Sequence, residues 1–253
     1  MTTSGTDLTG KVALVTGGSR GLGREMVRAF ATAGADVVVS SRNLDSCELL
    51  AAEVRETTGR KALAVACHAG DWDALANLAD ASFGEFGRVD ILVNNAGLSP
   101  AYPSLDSVDR DLWDKIFAVN VGGPFRLTTL VAPRMVDAGG GSIINVSSVG
   151  SIRPRPSHLP YAAAKAGLNV LTQGFAQEYG PLVRVNTVMA GPFSTEMTRG
   201  WDPEATKRRV SAYPLQRVGD PHEIVGAALY FAGDQSSFTT GTVLTVDGGM
   251  AVS

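Results

Sequence analysis

The stretch VALVTGGSRGLG occupies residues 12–23, and the apolar residues Met26, Val27 and Phe30 follow it. The unbroken apolar run at its start indicates a buried strand, while the spacing of the three later residues indicates a helix. A glycine-rich turn separates these two elements. The order of strand, glycine turn and helix predicts the opening unit of an α/β fold.

Glycines in this turn suit a backbone that approaches a ligand closely. They leave room for a pyrophosphate, and the N–H groups at the start of the following helix then point toward it, as in dinucleotide-binding units. The glycine spacing departs from G-x-G-x-x-G, so an ordinary glycine turn is the alternative for this segment taken alone. The predicted dinucleotide contacts here are Gly17, Ser19, Arg20, Gly21, Leu22 and Gly23.

The end of the second predicted strand, residues 36–40, bears on which dinucleotide binds. A carboxylate at this position holds the ribose 2′-hydroxyl of NAD, whereas a 2′-phosphate favours arginine. The chain has Ser41 and Arg42 here, and Arg20 could supply a second positive charge from the glycine turn. Each arginine could instead be a solvated surface residue. As a pair without an acidic neighbour, they predict NADP(H) in preference to NAD(H).

Further apolar runs alternate with helical patterns along the chain. The predicted strands cover residues 62–66, 91–93, 142–146, 183–188 and 241–246, and the predicted helices cover residues 49–54, 72–86, 109–135 and 221–231. Such alternation specifies a parallel sheet covered by helices on both faces. We therefore predict one Rossmann-type α/β domain over residues 1–253, with about seven parallel strands and no domain boundary.

Composition argues against several classes of function. The net charge of −3 and the pI of about 5.6 give no basis for binding nucleic acid or an acidic membrane surface. The first residues lack the order of a secretory signal, and no apolar run reaches the ~18 residues of a membrane span. Cys47 and Cys67 are too few for a disulfide framework. We expect a cytoplasmic protein without a metal site.

Residues 148–165 contain the groups best suited to chemistry. The segment YAAAK, residues 161–165, is expected to open a helix, which places Tyr161 and Lys165 one turn apart on the same face. A free tyrosine ionises near pH ~10, and a cation ~5–6 Å away favours its phenolate. Ser148 follows the strand predicted at 142–146, at the sheet edge where ligands bind. The alternative is a helix-surface pair, with Ser148 as a helix cap.

Two further segments are candidates for the same site. Asn94, Ala96 and Gly97 follow the fourth predicted strand, and their small or amide-bearing side chains suit a backbone that lies against a flat ligand. An ordinary asparagine-glycine loop is the alternative. Asn120 is a polar residue among apolar neighbours in the predicted helix, which by itself is usually a structural feature.

Residues 193–213 mix apolar side chains with charged residues and prolines, which is typical of a flap that closes over a substrate. An ordinary surface helix between loops is the alternative. The candidate substrate contacts are Ser99, Tyr102, His158 and Met197. His158 could equally be a hydrogen-bonded structural residue. Arg153 and Arg155 could meet an anionic substrate, but surface exposure is the favoured expectation.

Together these segments make the chain resemble the short-chain dehydrogenase/reductase family over nearly its whole length. The motifs that carry the resemblance are Thr16-Gly17 with Gly21 and Gly23, residues 94–97, Asn120, Ser148, Tyr161 with Lys165, and Val246-Asp247-Gly248-Gly249. The resemblance implies hydride transfer between a nicotinamide dinucleotide and a carbonyl or alcohol, catalysed by a homotetramer.

The resemblance also implies a role for each residue of the reactive cluster. Tyr161 would be the general acid or base, and Lys165 would bind the nicotinamide ribose and lower the tyrosine pKa. Ser148 would hold the substrate oxygen. Asn120 would anchor a proton-relay water through a distortion of its helix.

The chain departs from the family pattern at two places. The acidic residue that usually follows the third strand, near the adenine, is replaced by His68, with Asp71 three positions later. The usual proline-glycine turn after the sixth strand reads AGP at residues 190–192, which puts the expected backbone contact with the carboxamide in question. The resemblance assigns cofactor contacts here to Gly191, Phe193 and Thr195.

The sequence therefore predicts an oxidoreductase that uses NADP(H) to interconvert a small or medium carbonyl compound and a secondary alcohol. The alternative substrate is a 3-oxoacyl group on an acyl carrier protein, an acidic partner that favours a basic docking face. Lys207-Arg208-Arg209 is a compact basic cluster that could equally be solvated. A dinucleotide-binding sensor without turnover is the alternative of a different class.

Overall fold

A single parallel sheet organises the protein. The structure, a computed structural model, describes residues 6–252, and within them the sheet has seven strands in the order β3-β2-β1-β4-β5-β6-β7. The strands are β1 (Val12–Thr16), β2 (Asp36–Ser41), β3 (Ala62–Ala66), β4 (Ile91–Asn94), β5 (Gly141–Ser148), β6 (Val183–Ala190) and β7 (Val243–Val246). Every neighbouring pair is parallel, which confirms the predicted α/β sheet.

Successive residues of each strand face opposite sides of the sheet. In β1, Ala13 and Val15 pack into one apolar core, while Val12 and Leu14 pack into a second core on the opposite face. Because both faces are buried at the inner strands, β1, β2 and β4 contain continuous apolar runs and not alternating patterns.

Within the described residues, eight α-helices cover the two faces. They are α1 (Gly21–Thr32), α2 (Leu44–Thr58), α3 (Trp72–Phe86), α4 (Arg110–Phe117), α5 (Gly123–Asp137), α6 (Leu159–Tyr179), α7 (Pro203–Val210) and α8 (Val225–Ala232). Side chains of α1, α2 and α8 enter the core that contains Val15, and side chains of α3, α5 and α6 enter the core that contains Leu14. The predicted covering of both faces is confirmed. Among residues 6–252, no helix has the length and apolar character needed to span a membrane.

The helical region predicted over residues 109–135 is not continuous. It divides into α4 and α5 at a π-helical turn, Ala118–Gly122. Inside this turn the Asn120 side chain donates from Nδ2 to the Ile116 carbonyl, 2.9 Å away. Just after it, a Cβ on Gly123 would lie 1.9 Å from the Ala69 carbonyl oxygen. The backbone therefore approaches a neighbouring loop here, and apolar spacing alone does not reveal this interruption.

Two other predicted helices differ at their ends. The helix expected over residues 49–54 extends from Leu44 to Thr58, because Asn43 caps its first turn and Gly59 ends it with a φ of 67°. The helix expected over residues 221–231 begins as a 3₁₀ turn, Pro221–Ile224, and continues as α8.

The carboxyl ends of all seven strands lie along one edge of the sheet. Since β1 lies between β2 and β4, the strand order reverses beside it. In open α/β sheets such a reversal forms the crevice where ligands bind. Thr16, Asn94 and Ser148 end β1, β4 and β5 at this edge. The fold thus brings the glycine turn and Ser148 to the same edge.

Candidate active site

The glycine turn adopts a backbone that other residues follow poorly. Gly17 and Gly21 have φ values of 62° and 53°, in the left-handed region that favours glycine. A Cβ on Gly23 would lie 2.2 Å from the Gly17 carbonyl oxygen, well inside van der Waals contact. The absence of side chains at these positions lets the turn pass directly over the start of α1.

The N-terminus of α1 has no side-chain cap of its own, but one carboxylate from the segment after β6 lies near it, with Glu196 Oε2 3.5 Å from the position of a Cβ on Gly21. Arg20 occupies the capping position without a side-chain hydrogen bond, and the first turn of α1 contains no acidic residue. By contrast, Asn43, Asp71 and Asp109 cap the first turns of α2, α3 and α4. Free N–H groups and the helix dipole favour a phosphate at such a terminus. Together with the glycine backbone, this terminus fits the pyrophosphate of a dinucleotide.

Thr16 and Asn95 join the glycine turn to the end of β4, although neither was predicted as a site residue. The Thr16 hydroxyl donates to the Val93 carbonyl at 3.2 Å and accepts from the Asn95 backbone N–H at 3.1 Å. The Asn95 side chain donates to the carbonyls of Thr16 and Gly17 at 2.9 and 3.1 Å. These hydrogen bonds form because β1 pairs with β4, and the sequence alone does not show which strands are neighbours.

The end of β2 lies beside the glycine turn, as predicted. Ser19 Oγ donates to Ser41 Oγ at 2.9 Å, which ties the two segments together. Arg20 and Arg42 are exposed, and neither has an ion-pair partner among residues 6–252. His68 stands where the family usually has an acidic residue. Asp71, the nearest acid in sequence, caps the first turn of α3.

Ser148, Tyr161 and Lys165 meet at the carboxyl end of β5. Ser148 is the last residue of that strand, and α6 begins at Leu159, so Tyr161 lies in its first turn. The Lys165 Nζ lies 5.8 Å from the centre of the Tyr161 ring, in agreement with the expected one-turn spacing. Lys165 is 2 % exposed, and its ammonium donates to the Val146 carbonyl at 2.8 Å. Because an ammonium has three donors, the position suits further acceptors such as ribose hydroxyls.

Burial changes the ionisation of both groups. It raises the pKa of Tyr161 above the usual value, and the Ser148 hydroxyl opposes this rise by hydrogen bonding to the phenol. Burial lowers the pKa of Lys165 to about 8. Burial is thus the largest influence on the tyrosine pKa in this structure, and the lowering of that pKa by Lys165 stays a prediction. Because the shift is upward from an ordinary value of 10.0, Tyr161 is a neutral phenol at neutral pH.

The π turn brings Asn120 to the loop after β4. Its Nδ2 donates to the Leu98 carbonyl at 2.8 Å, and its Oδ1 accepts from the Leu98 N–H at 3.3 Å. A Cβ on Gly97 would lie 3.4 Å from Asn120 Oδ1 and 3.8 Å from Lys165 Nζ. Asn120 therefore holds this loop against Lys165, and the helix is distorted at this residue as the resemblance implies.

Some predicted cofactor residues use their side chains elsewhere. Asn94 is buried, and its Nδ2 donates to Thr128 at 3.2 Å and to Asn145 at 2.9 Å. Its side-chain amide thus holds β4 against β5 and α5, and the contact of its backbone with a flat ligand stays a prediction. Leu22 packs against the core that contains Val15. The Ala96 backbone, in contrast, stays at the glycine turn and donates to the Thr16 hydroxyl at 3.2 Å.

The segment after β6 returns to the glycine turn. Gly191 approaches Asp247 so closely that a Cβ would lie 2.5 Å from the Asp247 Cα. Phe193 is 5 % exposed and packs into the core, so its side chain is structural. The Thr195 Cγ2 lies 3.4 Å from the position of a Cβ on Gly21. The altered turn at residues 190–192 therefore still delivers Thr195 to the crevice.

Three of the four predicted substrate residues come together beside the start of α6. Ser99 Oγ and His158 Nδ1 lie 3.3 Å apart. The Tyr102 hydroxyl donates to the Pro156 carbonyl. These contacts fasten the loop after β4 to the segment that precedes Tyr161, so they border the reactive phenol.

The flap predicted over residues 193–213 contains α7. Its inner side includes Val210 and Tyr213, which are buried. Met197, the fourth predicted substrate residue, has 53 % of its surface exposed. The segment therefore buries some of its apolar side chains, and its closing over a substrate stays a prediction.

Known proteins resemble this chain over nearly its full length. A family model described as Enoyl-(Acyl carrier protein) reductase matches residues 17–251. The 3-oxoacyl-[acyl-carrier-protein] reductase of Thermotoga maritima is 37% identical over 251 residues, covering 97% of this chain and 99% of that protein. A gluconate 5-dehydrogenase from Burkholderia cenocepacia, solved in complex with NADP and tartrate, has a TM-score of 0.92 and 34% identity, covering 98% of this chain and 97% of that one. A 7α-hydroxysteroid dehydrogenase complexed with NADH and 7-oxo glycochenodeoxycholic acid has a TM-score of 0.92 and 34% identity. The match covers 96% of this chain and 95% of that one.

A doubly wound parallel sheet with a dinucleotide crevice and an adjacent tyrosine–lysine pair defines a nicotinamide-dependent dehydrogenase or reductase. The chain belongs to the short-chain dehydrogenase/reductase family. It is an oxidoreductase that acts on CH–OH groups and the corresponding carbonyls, and it binds a nicotinamide dinucleotide and a small-molecule substrate.

Proposed function

We propose that this chain reduces a small or medium carbonyl compound with NADPH, and oxidises the corresponding secondary alcohol with NADP⁺, using Tyr161 as the general acid or base. The observation that carries the proposal is the placement of Tyr161 in the first turn of α6, beside the Ser148 hydroxyl and the buried Lys165 ammonium. This cluster lies at the same sheet edge as the glycine turn. Proton transfer and hydride transfer therefore share one crevice.

The bound dinucleotide supplies or accepts the hydride. In the reductive direction, the hydroxyls of Ser148 and Tyr161 donate to the carbonyl oxygen, which gains negative charge as the hydride arrives. The raised pKa of Tyr161 keeps its proton in place at neutral pH, so the phenol acts as the acid. The Lys165 cation stabilises the phenolate that remains. Asn120 positions the loop after β4 and anchors a water that returns the proton.

Tyr161→Phe tests this chemistry. Because a positioned proton donor contributes roughly 10²–10⁴-fold, we expect NADPH oxidation with a panel of ketones to slow by about 10²-fold or more. Tyr179→Phe, in the last turn of the same helix, is the matched control and should keep the wild-type rate. An unchanged rate in Tyr161→Phe refutes its role. Dinucleotide binding by the wild type without turnover of any ketone favours the sensor alternative.

Arg20 and Arg42 support the preference for NADP(H). Both are exposed near the Ser19–Ser41 hydrogen bond, and guanidinium groups suit a 2′-phosphate. We expect kcat/KM to be about tenfold higher or more with NADPH than with NADH. The double variant Arg20→Ala/Arg42→Ala should lose this preference through a higher KM for NADPH.

The control for the cofactor experiment is Arg24→Ala, because the Arg24 guanidinium is already paired with Glu53 at 3.1 Å. Its NADPH preference should equal that of the wild type. Equal or better efficiency of the wild type with NADH refutes the roles of Arg20 and Arg42.

A 3-oxoacyl group on an acyl carrier protein is the second candidate substrate, supported by the Thermotoga maritima relative named for that activity. Its test is a comparison of a 3-oxoacyl carrier-protein conjugate with free ketones of similar size. If the conjugate is reduced with a far higher kcat/KM than every free ketone, the carrier-bound 3-oxoacyl group is the substrate. An equal or lower kcat/KM excludes that substrate.

We also propose that the enzyme works as a homotetramer in the cytoplasm. Trp113, Phe125 and Val170, on α4, α5 and α6, are 43%, 38% and 67% exposed, and exposed apolar faces often mark interfaces. Light scattering after size exclusion should give about four times the chain mass of 26.4 kDa. A monomeric mass refutes the tetramer, and cell fractionation tests the location.

A further inference from the structure

A cavity lies between the segment that follows β5 and the flap. Its volume is about 630 Å³, within the range of small-molecule sites. Arg153 and Arg155 line it from the segment after β5, and Arg208 and Arg209 line it from α7. Tyr213 also contributes to the wall, and no acidic side chain of residues 6–252 does. We call this space the arginine cavity.

Among residues 6–252, the four arginines of the cavity have no counter-ion. Across the described part of the chain, none of them has an ion pair or a side-chain hydrogen bond. Eight other arginines do pair with carboxylates, among them Arg28 with Glu53 at 2.6 Å. A concave wall of guanidinium groups without a paired carboxylate among the described residues attracts anions.

The Arg209 guanidinium is held in position by an aromatic ring, but two of its nitrogens have no hydrogen-bond acceptor. Its central carbon lies 4.1 Å from the centre of the Trp201 ring. Its Nε and Nη2 are buried without a hydrogen-bond partner, and the same is true of the Tyr213 hydroxyl oxygen. Tyr213 as a whole is 5 % exposed. Because buried donors without acceptors are unfavourable, these groups favour a ligand rich in oxygen acceptors.

One wall of the arginine cavity follows Ser148 closely along the chain. Arg153 follows Ser148 by five residues, and its backbone N–H donates to the Val149 carbonyl at 2.9 Å. His158, three residues before Tyr161, has its pKa lowered by burial and by the charges of Arg155 and Arg209. The positive potential therefore extends to the first turn of α6.

We propose that the arginine cavity binds an anionic group of the substrate, a carboxylate or a phosphate, while the carbonyl of the same molecule faces Ser148 and Tyr161. This assignment rests on the proposed function, because it gives that site its substrate class. The planar guanidinium of Arg209 binds two oxygens of either anion, and the Tyr213 hydroxyl donates a further hydrogen bond. Arg153 and Arg155 are exposed, as the sequence predicts, yet they also form part of this wall.

Matched pairs of ketones test the substrate class. The pairs are a keto acid with its methyl ester and a keto phosphate with its dephosphorylated ketone, compared by kcat/KM with NADPH. We expect the anionic member of at least one pair to be favoured by about tenfold or more. The pair that shows the preference identifies carboxylate or phosphate. Equal efficiency within both pairs overturns the proposal.

Arg209→Gln should reduce the preference for the anionic member by about tenfold, through a higher KM for that substrate. Arg110→Gln is the matched control, because Arg110 is an exposed arginine on α4 that pairs with Asp114 at 2.8 Å. The control should keep the wild-type ratio. An Arg209→Gln enzyme whose efficiency falls equally for both members of each pair overturns the assignment.

A binding measurement separates failure of this assignment from failure of the proposed function. In protein saturated with NADP⁺, titration calorimetry with inorganic phosphate and with succinate, at constant ionic strength, should show binding that Arg209→Gln weakens by about tenfold. Tyr161→Phe should preserve it. Anion binding without turnover supports the cavity and refutes the catalytic roles. Turnover of neutral ketones without anion binding supports the proposed function and overturns the cavity assignment.

Discussion

At Tyr161 and Lys165, burial disfavours the charged forms on which the chemistry depends. The phenol keeps its proton because a phenolate would be desolvated, and the ammonium loses its proton at a pKa of about 8. Shifts of this kind, caused by burial beside a ligand crevice, are typical of acid–base sites. The rate of this enzyme should therefore depend on pH just above neutrality.

We expect the rate of carbonyl reduction to be constant near neutral pH and to fall above about pH 8. Lys165 deprotonates in that range, so it no longer stabilises the phenolate that forms when Tyr161 gives up its proton. The measurement is kcat/KM against pH with NADPH and one ketone. In Lys165→Arg the cation persists, which should move the decline to higher pH. An unmoved decline would contradict the assignment to Lys165.

The same buried lysine should affect stability. The pKa of Lys165 falls from its usual 10.5 to about 8 on folding, so the unfolded chain binds this proton more tightly than the folded protein. The free energy of unfolding should therefore rise as pH increases from about 8 toward 10.5. Relative to Lys165→Met, the wild type should gain roughly 2 kcal/mol between about pH 8 and pH 9.5. Urea unfolding of both proteins measures this gain, and a difference that does not change with pH contradicts it.

Individual residues differed in how far the sequence could predict them. The proximity of Tyr161 and Lys165 follows from one turn of helix, so their spacing was sufficient. Thr16 and Asn95 could not be predicted, because their hydrogen bonds exist only when β1 lies beside β4. The raised pKa of Tyr161 could not be predicted from the sequence either, since desolvation depends on all the groups packed around the phenol.

The glycine turn and α1 act as one element in dinucleotide binding. A Cβ on Gly23 would meet a backbone oxygen at 2.2 Å, and a backbone atom cannot move aside as a flexible side chain can. Gly23→Ala should therefore lower the melting temperature and weaken NADPH binding by about tenfold or more. Thermal unfolding with and without NADPH measures both effects.

Gly84→Ala is the control for that substitution. Gly84 lies inside α3, and a Cβ there would have no atom within 4 Å. This variant should bind NADPH normally and gain about 0.5–1 kcal/mol of stability from helix propensity. A Gly23→Ala protein that matched it in both respects would show that the close approach is unimportant.

The π turn between α4 and α5 depends on Asn120. Asn120→Ala removes the partners of the Leu98 N–H and carbonyl, so it should cost roughly 2 kcal/mol and lower kcat more than it changes KM for NADPH. Thr129→Ala removes a hydrogen bond within α5 at half-buried depth and should cost less than about 1 kcal/mol without affecting kcat. Urea unfolding and steady-state kinetics distinguish the two variants. Equal effects would leave Asn120 a purely structural residue.

Strands and helices were predictable where their apolar residues recur at a regular spacing. The inner strands β1, β2 and β4 contain continuous apolar runs because both of their faces are buried. The break between α4 and α5 was not predictable, because it arises from the contact between Gly123 and the Ala69 carbonyl on another part of the chain.

For the molecule as a whole, alternating strands and helices predicted the parallel sheet, but not the order in which its strands lie. That order decides which strand ends become neighbours, and hence which loops form the crevice. The arginine cavity could not be predicted for the same reason, because its lining comes from residues 152–155, residues 208–213 and Met250, which are far apart in sequence.

Binding of the dinucleotide should stabilise the whole sheet. With NADPH at about 100 times its Kd, the free energy of unfolding should rise by about 2.7 kcal/mol, which for a chain of this size corresponds to roughly 5–11 °C in melting temperature. NADH at the same concentration should give a smaller shift. Differential scanning fluorimetry measures both, and an equal or larger shift with NADH contradicts the preference for NADP(H).

The division of the arginine cavity between two peripheral segments has an evolutionary consequence. Hydride and proton transfer depend on strand ends and α6, whereas Arg208 and Arg209 lie on α7, a short helix with a mostly exposed surface. Surface substitutions on such a helix change stability little. Selection can therefore alter the flap while the reactive centre is retained. Proteins that share this fold can then diverge in substrate specificity and keep the same catalytic residues.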